Sequence, residues 1–290
     1  MRILILGGTR FFGKRLAAHL SDLGCFVTLA TRGRNPAPSL SGVTWHQAER
    51  DDVDSLRTLA HQGQWDCVVD QIGYSPNSAK ILLDALGKST KRIIFTSTAA
   101  VYEGSQMHSE EDFDPYHYPL QWGNRDDFDY AEGKRLAEAV YFQRAEVPVC
   151  TVRFPYVLGL DDYTKRIEFH LERILKNLPI GIPNQEATFS FVSSAEASRA
   201  LLACVERPIQ GPLNVCSRQP MTARQFVHAL EAVCGKSAAI VGTTTPENQS
   251  PYFGPTSKWL NSERARQLGL LLDSTESYFS FLVRELHART

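Results

Sequence analysis

Tyr130 and Lys134 stand four residues apart in Tyr130-Ala131-Glu132-Gly133-Lys134, a spacing that puts both on one face of a helix. A free phenol has a pKa of about 10, too high for a general base near neutrality. A neighbouring ammonium and an oxidised nicotinamide ring both favour the phenolate. The pair therefore suits proton exchange with a hydroxyl or carbonyl while hydride moves to or from a cofactor. The hydroxyl-rich run Thr96-Ser97-Thr98 offers Thr98 to hold the substrate oxygen. Thr98, Tyr130 and Lys134 form the candidate catalytic set.

A second constellation is Gly7-Gly8-Thr9-Arg10-Phe11-Phe12-Gly13. The first glycine permits a tight turn, the last lets helix and strand pack closely, and the helix N-terminus turns free N–H groups toward a pyrophosphate. Arg10 stands where a middle glycine belongs, so all seven residues become cofactor-binding candidates. Such a set works only if strands and helices carry it in order. Residues 3–6 form a short apolar run that reads as a buried strand, and 14–20 read as the helix after it. Strands follow at 25–30, 43–46, 66–70, 92–96 and 148–154, with helices at 53–61, 79–86 and 129–144. A polar, proline-containing stretch occupies 31–41. This alternation predicts an α/β fold with a doubly wound parallel sheet.

Ligands of such sheets bind beyond the carboxyl ends of the strands, here just after Leu6, Ala30, Asp70, Thr96 and Phe154. The second strand runs into Thr31-Arg32-Gly33-Arg34, without an acid to take the ribose hydroxyls. Arg32 and Arg34 favour the phosphate of NADP, with NAD left open. Gly73, after Asp70, would let the backbone approach the nicotinamide ribose. The second half reads as helices at 168–176, 193–205, 222–234, 262–268 and 274–286. A strand is expected at 213–216, a loop or short strand at 179–183, and a loop at 243–255. The expected division is a dinucleotide-binding domain over 1–155 and a mainly substrate-binding region over 156–290.

The chain has 290 residues, 43% apolar and 22% charged, with a net charge of −1. That balance argues against nucleic acid as the main partner and for a small-molecule substrate. No apolar run reaches the length of a membrane span, and buried structure starts at once, so a cytoplasmic location is expected. The six cysteines lie singly in apolar segments with no Cys-x-x-Cys pair, as reduced cytoplasmic cysteines do. No metal-ligand spacing appears, and no metal is expected. The insertion 103–129 holds His108, Glu110, Glu111, His117, Trp122 and Arg125. It is expected over the nicotinamide, with His117 as candidate second acid/base or as a structural loop histidine.

These residues resemble an extended short-chain dehydrogenase/reductase of the NAD-dependent epimerase/dehydratase family. The resemblance is carried by residues 7–13, residues 96–102, Tyr130 with Lys134, and Arg153-Phe154-Pro155-Tyr156-Val157-Leu158-Gly159. Phe191-Val192-Ser193-Ser194-Ala195-Glu196 resembles the segment that returns the chain to the core, which implies that about 189–206 complete the first domain. The resemblance implies a Rossmann-like fold, Tyr130 as proton donor or acceptor, Lys134 on the nicotinamide ribose and Thr98 on the substrate oxygen. It also implies Glu49 near the adenine, a smaller C-terminal substrate region, and a homodimer built on the tyrosine-bearing helix. Two departures narrow the activity. Sugar dehydratases of this group carry an Asp-Glu pair after the catalytic hydroxyl, and Ala99 and Ala100 stand there, unable to transfer protons. An epimerase or a reductase/dehydrogenase is expected instead. The arginine clamps of nucleotide-sugar epimerases are replaced by Thr188-Phe189-Ser190 and by Pro251-Tyr252-Phe253-Gly254-Pro255, leaving Lys165, Arg166 and Arg218 as candidates to hold a diphosphate. The glycine motif with Arg10 further resembles a branch that includes chloroplast stem-loop RNA-binding proteins. The alternative is thus a nucleotide-bound RNA-binding or redox-sensing protein without turnover.

Overall fold

The structure, a computed structural model, describes residues 1–34 and 39–289. Residues 35–38, inside the polar stretch expected at 31–41, and Thr290 lie outside it. Seven strands build the main sheet: β1 (Arg2–Leu6), β2 (Phe26–Thr31), β3 (Val43–Gln47), β4 (Cys67–Asp70), β5 (Ile93–Thr98), β6 (Val149–Phe154) and β7 (Gly211–Asn214). All pairs are parallel, in the order β7-β6-β5-β4-β1-β2-β3. The chain reverses its winding direction beside β1, where Leu6 is in register with Ala30 on one side and Asp70 on the other. That is the switch point at which an open α/β sheet binds ligands. The expected Rossmann-like, doubly wound sheet is the fold of this chain.

Helices α1 (Phe11–Asp22), α2 (Val53–Ala60), α3 (Pro76–Leu86) and α4 (Tyr130–Arg144) are the crossovers. Leu82, Leu86, Ala137, Val140 and Tyr141 join Leu4, Val68, Ile93 and Phe95 in one buried core. Full burial of a side chain of this kind contributes about 1.5–3 kcal/mol, so the sheet and its helices stand or fall together.

Helix α3 begins three residues before the expected start, because Ser75 accepts from the Ser78 amide and Pro76 occupies N1, where a missing N–H costs nothing. The fifth strand extends to Thr98. The last strand lies at Gly211–Asn214 rather than 213–216, and Pro212 is tolerated there because β7 is an edge strand.

Two compact units are distinguished. One comprises Met1–Tyr102, Glu110–Phe154 and Ala197–Asn214, and holds the main sheet. The other comprises Glu103–Ser109, Pro155–Glu196 and the chain from Val215. It contains α5 (Arg166–Leu175), α7 (Ala223–Cys234), α8 (Glu263–Gln267), α9 (Thr275–His287) and four two-stranded sheets. The helix α6 (Ser194–Glu206) starts in this unit and ends in the first. The second unit's core is aromatic, with Phe189, Phe191, Phe226, Tyr252, Phe253 and Phe279 buried together. Segment 251–255, which stands in place of an arginine clamp, thus spends its rings on packing.

Candidate functional site

The glycine turn is built as its sequence requires. Gly7 (φ +98°) and Gly8 (φ +83°) adopt left-handed backbone conformations, which a side chain would strain. A Cβ on Gly13 would stand 2.8 Å from the Gly8 Cα and run into the Gln71 side-chain oxygen. Arg10 is the N-cap of α1 with extended backbone, and no side chain caps the helix or places an acid in its first turn. The first-turn amides and the positive dipole end are therefore left for an anion. Thr9, Phe11 and Phe12 are half-buried, and the Phe12 ring packs 5.6 Å from Phe154 at the end of β6.

At the end of β2, Thr31 Oγ1 accepts from the Gly33 amide (3.3 Å) and from the Trp45 indole (2.9 Å), fixing the turn. Arg32 and Arg34 on that turn are exposed. Glu49, after β3, is also exposed, its carboxylate accepting from the Arg50 amide at 3.0 Å. Gly73 has a local reason to be glycine: a Cβ there would lie 2.5 Å from Asp70 Oδ2 and 3.1 Å from the Phe95 ring.

Lys134 lies beneath the candidate catalytic centre. It is buried, donates from Nζ to the Thr96 carbonyl at 2.9 Å, and faces the rings of Phe95 (4.5 Å) and Tyr74 (4.6 Å). Burial pushes its ammonium down to about 7, against the opposing pull of Asp70 and Glu138. Tyr130, at the first turn of α4 after the Asp129 cap, is half exposed (54%) and its ring is 6.3 Å from that of Tyr74. Thr98 is half-buried at the end of β5, and its Oγ1 accepts from the Ala100 amide at 3.1 Å. The strand ends and the helix start thus bring the glycine turn, Thr98, Tyr130 and Lys134 into one unit of the chain.

Several further side chains near the candidate site carry little sequence signal. Asp70, fully buried at the end of β4, is gripped by Arg50 through Nη2 (2.6 Å) and Nε (3.2 Å) and by the Tyr141 hydroxyl (2.6 Å). Arg50 holds that carboxylate below its usual range despite burial. The Gln71 side-chain nitrogen is buried without a hydrogen-bond partner, on a side chain lying against Gly7 and Gly13. The Tyr74 ring meets Lys134 Nζ at 4.6 Å and neighbours the Tyr130 ring. Only the polar run 49–52 hinted at any of these, and it carried no sign that Arg50 points inward.

Residues 113–120 of the insertion pack along α4. Tyr118 donates to the Glu132 carboxylate (2.9 Å), Gln143 donates to the Pro115 and Tyr118 carbonyls, and the rings of Tyr116 and Phe142 pack at 4.6 Å. This segment covers the outer face of α4. His117 is 86% exposed and paired with Asp114 at 2.7 Å, a surface loop histidine. Lys165 precedes α5 with φ +54°, Arg166 packs over the Tyr156 ring and Arg218 is exposed, all three in the second unit. Among the described residues no group of three His, Cys, Asp or Glu forms a metal site, and no helix is long and apolar enough to cross a membrane.

Comparison with known proteins is consistent with this geometry. Residues 3–216 match the model of the NAD dependent epimerase/dehydratase family. The UDP-glucose 4-epimerase of Thermus thermophilus, solved with NAD, superposes over 99% of both chains with a TM-score of 0.76 at 18% identity. The UDP-glucuronic acid 4-epimerase of Bacillus cereus, solved with UDP-glucuronic acid and NAD, does so over 100% of this chain and 99% of its own, at 0.78 and 19%. At such identities the likeness is one of fold. Over 199 residues, 63% of this chain, the sequence is 30% identical to the chloroplast stem-loop binding protein of 41 kDa b of Arabidopsis thaliana. The match spans about half (49%) of that relative's length.

Proposed function

The chain belongs to the NAD dependent epimerase/dehydratase family, and we propose that it is a nicotinamide-dependent enzyme acting on a hydroxyl or carbonyl carbon of a sugar-like substrate, as an epimerase or a reductase. The observation that carries the reading is the buried Lys134 one helical turn from the half-exposed Tyr130. The residues fit the cofactor. Gly7, Gly8 and Gly13 let the tight turn pack closely at the uncapped start of α1, whose first-turn amides can take a pyrophosphate, and the buried Gln71 amide lacks the acceptor a ligand or its water would supply. A bound nicotinamide dinucleotide supplies hydride transfer.

The protein's own part is to hold and to move protons. Tyr130 exchanges a proton with the substrate oxygen, Thr98 hydrogen-bonds that oxygen, and Lys134 supplies the charge that makes the phenolate accessible and a donor for the ribose. Ala99 and Ala100 supply no second acid/base, which disfavours water elimination by a dehydratase route. Arg32 and Arg34 favour NADP over NAD; the solved neighbours bind NAD, so titration with both separates the two. The cover on α4 argues against the homodimer expected on that helix and for a chain that does not self-associate there. Unbonded cysteines, five of them buried, suit a reducing compartment such as the cytoplasm.

Tyr130→Phe tests the reading. It should retain cofactor affinity and lose at least about a hundredfold in turnover; unchanged turnover would contradict the assignment. A second reading, RNA binding without turnover, is favoured by the identity to a stem-loop binding protein. The net charge of −1 weighs against it, since phosphate contacts need a basic surface.

A further inference from the structure

Across the Tyr74 ring, which neighbours Tyr130, stands a positive charge that the mechanism above leaves idle. Arg125 sits on a short turn, Arg125–Asp127, within the insertion. The turn is pinned from several sides. The Asn77 amide donates to the Gly123 carbonyl (3.3 Å), and its side chain donates to Asn124 Oδ1 (3.0 Å). Asn124 and Asp127 form a capping box, with the Asn124 amide donating to Asp127 Oδ2 at 2.7 Å. The Phe128 ring fills the space beside Gly123.

On this base the Arg125 guanidinium lies over the Tyr74 ring, 4.6 Å from its centre. The same ring receives Lys134 Nζ at 4.6 Å and neighbours Tyr130 at 6.3 Å. Lys134 is buried and Arg125 exposed, so one cation approaches from the interior and the other from solvent. Asp126 and Asp127 follow Arg125 directly, yet among the described residues its guanidinium has no carboxylate partner. Stacking on an aromatic face leaves the N–H edge of a guanidinium free, in a geometry that matches a planar or tetrahedral anion. A pinned loop loses little freedom on binding. Lys134 feels the carboxylates of Asp70 and Glu138 from the interior, so the solvent-side cation, Arg125, is the one left to meet an anion.

We propose that Arg125 is a substrate-binding residue that takes a carboxylate or phosphate carried close to the carbon on which Tyr130 acts. The inference rests on the reading of Tyr130 given above and narrows its substrate to an anionic one. Both sources share one chemistry, a charge-assisted hydrogen-bonded pair with the guanidinium.

Cofactor-loaded protein should be titrated with glucuronate, glucose 6-phosphate and glucose by ligand-observed NMR, as wild type, Arg125→Gln and Arg125→Lys. The expected result is that at least one anionic probe binds more tightly than glucose. Arg125→Gln should weaken that probe about tenfold or more, equivalent to about 1.4 kcal/mol, while Arg125→Lys keeps part of the preference. Glucose and cofactor affinities should be alike in all three proteins, which excludes misfolding as the cause. A preference for glucuronate identifies a carboxylate, and one for glucose 6-phosphate a phosphate. Equal binding of the anionic probes by wild type and Arg125→Gln, or no preference over glucose, overturns the inference and leaves the cofactor reading standing. Failure of the wild type to bind either nicotinamide cofactor overturns that reading and this inference with it.

Discussion

Buried charge sets the character of individual residues around the site. Asp70 and Arg50 are both almost inaccessible, and each exists as an ion only because the other does. Asp70→Asn leaves the guanidinium buried against a neutral amide, and should lower unfolding free energy by about 3–5 kcal/mol in urea titrations. The double replacement Arg50→Met with Asp70→Leu should recover most of that loss. Lys134 gives a signature in pH. Its folded pKa of about 7 lies below the unfolded value of about 10.4. The cost of burying the ammonium is therefore fully present below pH 7, and stability rises with pH between those two values. Lys134→Met should flatten this slope, and a lysine resonance titrating near 7 in the apo protein should vanish with it. Tyr130, Lys134 and Thr98 are legible as candidates because each rests on a local feature, one helical turn or one strand end. Arg50 reaches 20 residues to Asp70, and Tyr141 reaches 71. No local pattern encodes such a pairing.

Among the elements, α4 is the one whose surroundings were least legible in the sequence. Lys134, Glu138 and Tyr141 point to the sheet, so Leu136 and Ala139 point away from it, yet both are fully buried. Along this helix residues 113–120 pack through Tyr116 on Phe142 and Tyr118 on Glu132. An irregular segment has no periodicity to reveal which face it will meet, so the packing of residues 113–120 along α4 was not legible, whereas the helix itself was. Tyr116→Ala should destabilise by about 1–3 kcal/mol, measured by chemical denaturation. Light scattering should find the wild type monomeric with respect to this face. A dimer that dissociates when α4 is mutated on that face would contradict the cover's role.

At the scale of the whole molecule, alternating strands and helices dictated the sheet, since parallel strands need crossovers and crossovers have one hand. The strand order then delivers the glycine turn, Asp70, Thr98 and the start of α4 to the carboxyl ends, where a dinucleotide binds. The aromatic core of the second unit was less legible, because short strands and loops share no repeating pattern. The account's central claim is that this site holds a nicotinamide dinucleotide. Fluorescence titration of NADPH and NADH into the wild type and Gly13→Ala tests it most directly. Wild type should bind at least one of them in the micromolar range or tighter, corresponding to about 8 kcal/mol, and Gly13→Ala should bind at least about tenfold more weakly, because its Cβ meets the Gly8 backbone. Binding of neither nucleotide by the folded wild type, or equal binding by both proteins, would contradict the claim.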